Sequence, residues 1–288
     1  MSQTDSQDGP EPEGTVRLMA RAWERDRYLA ALLGPRSVRD DLNALAAFAG
    51  EIARIPAYVN DPMMGEIRLQ WWRDVIQAPS DSPPSGHPIA DALRAAVDRH
   101  GLPHNLLIGF IDAQAFGLDD GPLADDQMLG AQLAKTEGAL FELALRILGR
   151  HDETARALAS AAGRAYGLAR LLVEMPALWA QGRTLIPISR LRDAGLSLDD
   201  YKAGPSTEQL QPIVSGLAAD ARKNMIEARR LSTGLTGAQH VAVLPLAVVE
   251  PYLRALGRSG RDLLREPIDI TPIRRVWRLW RAYKTRRF

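Results

Sequence analysis

The sequence predicts an all-α protein organised as one large domain. Apolar side chains recur at helical spacing in nearly every stretch from Val16 to Tyr283, and no segment alternates apolar and polar residues over a convincing strand length. The stretches are also separated by Gly-Pro, Asp-Pro and Gly-Arg breaks. With 288 residues, 31.6 kDa and 46% apolar residues, the chain can bury a continuous core.

The first helix is predicted over 16–33 and stops at Gly34-Pro35, because glycine reaches left-handed angles and proline cannot donate. A second follows Ser37, read as its cap, and carries Leu42, Leu45, Phe48 and Ile52 on one face up to Pro56. Asp61-Pro62 opens a third that holds Trp71 and Trp72. Neighbouring positions lie about 100° apart on a helix, so one ring points to the core and the other elsewhere. After the polar loop 79–88, helices are expected over 89–99, 106–116, 124–148 and 153–174. A short helix then reaches Gly204-Pro205, and longer ones cover 208–231, 238–256 and 272–287, with no fixed repeat.

Residues 1–15 are acidic and rich in Gly, Pro and Ser, lack the start of a secretory signal, and are expected to be a disordered tail before a domain over 16–270. No cysteine is present, which excludes disulfides, thiolate metal sites and cysteine nucleophiles and fits a cytoplasmic setting. No run approaches the roughly 18 apolar residues of a membrane-spanning helix, so membrane contact would be peripheral. A net charge of +1 argues against nucleic acid as a partner. Over 271–288, however, basic residues crowd together without one acidic residue. Arg274, Arg275, Arg278 and Arg281 surround a stripe made by residues 273, 276, Trp277, Trp280 and 283. Attachment to a membrane surface, docking on a protein, and packing on the parent domain with the arginines in water all remain open for this helix.

Other chemical signals are weak. The five histidines lack zinc-site spacing, and His100 and His104 are read as solvent-facing loop residues because Gly101 and Pro103 separate them. The acidic group Asp119, Asp120, Asp125, Asp126 is read as helix capping, since a helix N-terminus attracts carboxylates.

Two segments are more specific: 42–74, with Leu45, Ala47 and Phe48 leading to GEIRLQWWRD, and 163–187, with Gly163, Ala165, Gly182-Arg183 and Pro187. They resemble the squalene/phytoene synthase family, and the likeness extends from about Asp26 to Leu256. It implies an isoprenoid-synthase-like helical bundle with a central cavity. In active members, two Asp-x-x-x-Asp motifs on facing helices hold magnesium, which binds a prenyl diphosphate. Oxygen ligands at i and i+4 share one helix face.

On this resemblance the first aspartate pair falls at Ala53 and Ala57, with Arg54 beside it, and the second at Glu174 and Leu178, so only Glu174 keeps a carboxylate. At about 4 Å and an effective dielectric near 20, each lost charge removes on the order of 4 kcal/mol. Together with GEIRLQWWRD and the terminal Arg/Trp helix, this looks most like the family branch that includes the mitochondrial respiratory complex I assembly factor and its bacterial relatives, thought to lack synthase activity. The implied reading is a non-catalytic protein without a cofactor. It would act with a respiratory-complex subunit or assembly intermediate on the cytoplasmic face of the inner membrane. One alternative is an active prenyl-diphosphate transferase that uses Mg through other carboxylates, such as Glu51, Asp61, Glu66 and Glu174. Another is a metal-free binder of a lipid or prenyl phosphate, with Arg54, Arg170 and Arg183 as its anion site beside Glu51 and Glu174. The same arginines would otherwise simply pair with Glu51 or Glu174.

Overall fold

The computed structural model describes the backbone of residues 12–58, 61–119, 121–257 and 260–288, and the side chains among them except those of 12 and 116–119. No strand occurs among the described residues. Helices α1 (Pro12–Trp23) and α2 (Arg25–Leu32) form one run bent at Glu24, whose φ of −126° and ψ of 57° interrupt it. Glu24 N–H still donates to Ala20 O (2.9 Å) and Tyr28 N–H to Glu24 O (2.8 Å). The single helix expected over 16–33 is therefore kinked, and the bent residue turns its carboxylate inward. Helix α1 already includes residues 12–15, which the sequence placed in the tail; residues 1–11 lie outside the described residues.

Helix α3 (Arg39–Tyr58) follows a 3-10 turn at Arg36–Val38, so Ser37 sits inside that turn and is not the cap of α3. Asp61 does cap α4 (Pro62–Gln77), accepting from Met63 N–H at 2.9 Å. Trp72, 2% exposed, packs edge-on to Phe48 with centroids 5.4 Å apart, while Trp71 is 38% exposed and lies against His87. Helices α5 (Pro88–His100) and α6 (His104–Asp119) complete this half. His100 ends α5 and meets Asp41 at 2.8 Å, so it belongs to a helix and not to a solvent-facing loop. Asp125 caps α7 (Asp126–Leu133) and Asp126 pairs with Arg190 at 2.7 Å; the side chains of Asp119 and Asp120 lie outside the described residues.

The helix expected over 124–148 is interrupted. A π-helical turn at Ala134–Gly138 joins α7 to α8 (Ala139–Ile147), and such turns often re-aim side chains at sites. Helix α9 (Glu153–Ala180) crosses this turn at very short range: a Cβ on Gly163 would stand 2.4 Å from Gly138 N and 2.5 Å from its Cα. Backbone cannot yield as a side-chain tip can. Gly163→Ala is expected to lower stability by about 3 kcal/mol or more, read from a urea titration, whereas Gly130→Ala, with open space around its Cβ, stays near neutral.

Around α9 pack α8, α12 (Thr207–Leu231), α13 (Val249–Leu256) and the π-turn, with α10 (Ile188–Asp193) and α11 (Leu198–Ala203) short and peripheral. Residues Gln239–Val248, expected as regular helix, form a 3-10 stretch. Buried Pro245 lacks the N–H a regular ladder needs, and the valines resist helical rotamers. Helix α14 (Pro272–Thr285) rests on that stretch and on α2.

Candidate functional site

A cavity of about 140 Å³ opens between α3, α6, the π-turn and α9. Its α9 wall carries Gly167, Arg170, Leu171, Glu174 and Leu178, which share one face at helical spacing. Its α3 wall is Ala49 and Ala53. Glu24 enters from the kink and Glu137 from the π-turn. Gly167 makes room for the latter, since a Cβ there would lie 3.2 Å from Glu137 Cγ.

These charges interlock. Arg27 reaches Glu24 at 3.1 Å and Glu137 at 2.6 Å, while Arg170 reaches Glu24 at 2.5 Å, Glu137 at 3.3 Å and Glu174 at 2.8 Å. Two guanidiniums thus alternate with three carboxylates, and Arg27 also stacks on Phe141 and Tyr166 with its Cζ 5.1 Å from each ring centroid. Burial works against the charge on Arg170, yet Glu174, Glu24 and Glu137 raise it well above its usual value. Burial likewise favours protonated Glu137, but Arg27 and Arg170 overturn that and hold it below the ordinary carboxylate range. Glu24 goes the other way: burial raises it against the pull of Arg170 and Arg27.

The positions singled out from the sequence divide accordingly. Ala53, Arg170, Glu174, Leu178 and Arg183 converge on the cavity. Arg170 pairs with Glu174 and is not a free anion donor. Ala57 is exposed and outside the lining, and Glu51 is outside it too. Arg54 turns away, stacked on Trp23 (4.9 Å) and Tyr58 (4.4 Å) and bonded to the Tyr58 hydroxyl, because those rings offer its planar cation a face. Arg183 alone of the three proposed anion donors lines the cavity with no carboxylate at ion-pair distance among the described residues, and burial pushes it below its usual value. Glu24, Arg27 and Glu137 escaped the sequence reading. Glu24 and Arg27 belong to the charged run Glu24 to Arg27, their one signal, and Glu137 had none in its local pattern.

The donor set does not suit magnesium. Ala53 and Leu178 offer no oxygen, every cavity carboxylate already has a guanidinium partner, and no three His, Asp or Glu among the described residues are grouped to hold a metal. Buried His240 is likewise no ligand set; burial, helped by Arg286, pushes it down to about 4.

Behind α9 a second network fixes the terminal helix. Asp26 accepts from the Tyr166 and Tyr252 hydroxyls, both at 2.9 Å, and its other oxygen lies 2.7 Å from Arg275 Nε. Arg275 also donates to Tyr252 (2.8 Å) and Asp269 (2.6 Å). At 4% exposure Arg275 is thus excluded from the membrane or partner contact expected of it. A buried guanidinium needs these partners, which only the interior supplies.

The squalene/phytoene synthase family model matches residues 20–281. The complex I assembly factor 6 of Rattus norvegicus is 26% identical over 267 residues, 91% of this chain and 80% of that one. The phytoene synthase of Thermus thermophilus is also 26% identical, over 290 residues, 97% of this chain and 94% of that one. A dehydrosqualene synthase structure superposes with a TM-score of 0.77 at 17% identity, covering 96% of each chain. Identity does not divide the two kinds of relative, so the chemistry of the cavity must.

Proposed function

Since the chain belongs to the squalene/phytoene synthase family, we propose that it is a member working by binding, without prenyl transfer, in the assembly of respiratory complex I. The place we assign it is the cytoplasmic face of a bacterial inner membrane, with a subunit or assembly intermediate of the complex as partner. Among the described residues no helix is long and apolar enough to cross a membrane, which is compatible with action from the surface.

One observation carries this reading: Arg170 sits among Glu24, Glu137 and Glu174 and neutralises the carboxylates a magnesium ion would need. A fixed guanidinium in that position repels a divalent cation, and the alanine and leucine at the remaining positions offer nothing in compensation. The relatives named as complex I assembly factors support the choice of partner.

The test has two arms. Purified protein given farnesyl or geranylgeranyl diphosphate with magnesium, with and without reduced nicotinamide cofactor, is expected to release no diphosphate and form no coupled product. A deletion strain is expected to lose NADH-dependent complex I activity while keeping its other respiratory activities. Magnesium-dependent turnover abolished by Glu174→Gln would overturn the binding reading and install the transferase in its place.

A second reading, metal-free uptake of a prenyl phosphate or lipid, is favoured by Arg183 at the cavity, which has no carboxylate partner among the described residues. Against it stands the size of the cavity, well below the roughly 300–1,000 Å³ of typical ligand pockets.

A further inference from the structure

Helix α14 has two unlike faces, and the wrong one for a core helix points outward. Arg275, Leu279 and Ala282 are buried against the domain, whereas Ile273 is 84% exposed, Val276 50%, and Trp277 and Trp280 48% each. Residues 273, 276, 277 and 280 fall at i, i+3, i+4 and i+7, one continuous stripe.

The charge around this stripe is uncompensated. Of the seven basic residues over 272–288, only Arg275 lies within ion-pair distance of a carboxylate among the described residues. On one flank a groove of about 570 Å³ separates α14 from α12 and α13, and Arg229, Arg254, Arg278, Arg281 and Arg287 line it around one acidic side chain, Glu250, with Arg229 donating to Phe288 O at 2.7 Å. Glu250 is already taken by Arg222 (3.0 Å) and Arg254 (2.9 Å). Burial, with Arg274, Arg254 and Arg281 close by, pushes Arg278 below its usual value, as expected where cations crowd.

We propose that α14 is an interfacial docking element for an anionic phospholipid bilayer. Ile273, Val276, Trp277 and Trp280 enter the headgroup–acyl boundary, and the arginine groove receives lipid phosphates. Indole rings suit that boundary, apolar in body and polar at the ring N–H. Guanidiniums take phosphate oxygens in pairs, and the acidic side chain of the groove, Glu250, is already neutralised by Arg222 and Arg254. An acidic protein would satisfy the arginines but leaves a convex row of half-exposed apolar side chains without a matching pocket; a bilayer supplies both halves. The proposal does not rest on the assembly role, since the same helix would serve a prenyl-transferring enzyme equally.

The test is flotation of the full-length protein with vesicles of phosphatidylcholine alone and of an equal mixture with phosphatidylglycerol. Binding is expected only to the mixed vesicles, with blue-shifted tryptophan emission and release at high salt. Arg278→Gln/Arg281→Gln is expected to weaken partitioning about 30-fold, two surface cations' worth, and Trp277→Ser/Trp280→Ser by at least about tenfold. Both variants should keep the parent's circular dichroism and melting temperature, because none of the four side chains is fully buried. Failure to float, equal binding to neutral vesicles, or indifference to both variants would each overturn the proposal. So would a dimer dissolved by Trp277→Ser/Trp280→Ser, which gives the stripe to a second copy, or saturable binding of polyglutamate without flotation, which gives it to an acidic protein. None of these outcomes bears on turnover or on complex I.

Discussion

Replacing Arg170 by methionine is expected to cost about 3–5 kcal/mol of folding stability, because it strips the shared partner from buried Glu24 and loosens Glu137 and Glu174. Urea denaturation at neutral pH measures it. The deficit also has a sign in pH. Glu24 is already raised by burial, and losing Arg170 raises it further, so the folded variant holds a proton that the unfolded chain releases above about 4.5. Stability of the variant therefore falls as pH rises above that value, and the deficit narrows as pH is lowered towards it. Adding Glu24→Gln to Arg170→Met should recover half or more of the loss, since Arg27 and Glu137 still form a complete pair at 2.6 Å. A loss below about 1 kcal/mol, flat in pH, would show that water reaches these groups and that Arg170 is free to bind an external anion.

Arg275→Met should have an effect of similar size in a different place. It leaves Asp26 with two hydroxyl donors and no cation, at a cost of about 3–5 kcal/mol, and removes the one ion-paired anchor of α14 among the described residues. Hydrogen exchange distinguishes the sites. In Arg275→Met, amides over 272–285 should exchange far faster while those of α9 keep their protection relative to global stability; in Arg170→Met the two regions should weaken together. Equal loss of protection in both helices of Arg275→Met would show that α14 is integral to the core and not docked upon it.

Much of the architecture was legible because helices announce themselves locally. Gly34-Pro35, Asp61-Pro62 and Gly182-Arg183 mark real boundaries, and Arg170, Glu174 and Leu178 fall on one wall because α9 keeps its helical spacing across Pro176. Local pattern does not report where backbone departs from regularity. The bend at Glu24 and the π-turn at 134–138 each deliver one buried carboxylate; no breaker residue marks the first, and the lone Gly138 of the second is one a regular helix also tolerates. Nor does it report partners: Glu24 and Arg170 are 146 positions apart, and Arg27 and Glu137 are 110 apart. Periodicity drew the apolar stripe of the terminal helix correctly at 273, 276, 277 and 280, while Tyr283, read into the same stripe, packs against the core. Which side faces the domain was decided instead by the partners awaiting Arg275, a long-range fact that outweighed the usual rule that the apolar side turns in.

The Asp26 network gathers residues 26, 166, 252, 269 and 275, so it spans almost the whole chain. During synthesis Asp26 and Tyr166 emerge long before Tyr252 and Arg275 exist, and contacts this distant in sequence form late and slowly. A nascent or truncated chain can assemble its early helices and still lack the cation that sets the last one in place. The orientation of the outward tryptophans of α14 is therefore set by a contact between residues 249 positions apart, and it is expected to be established only after the helices around Asp26 have packed.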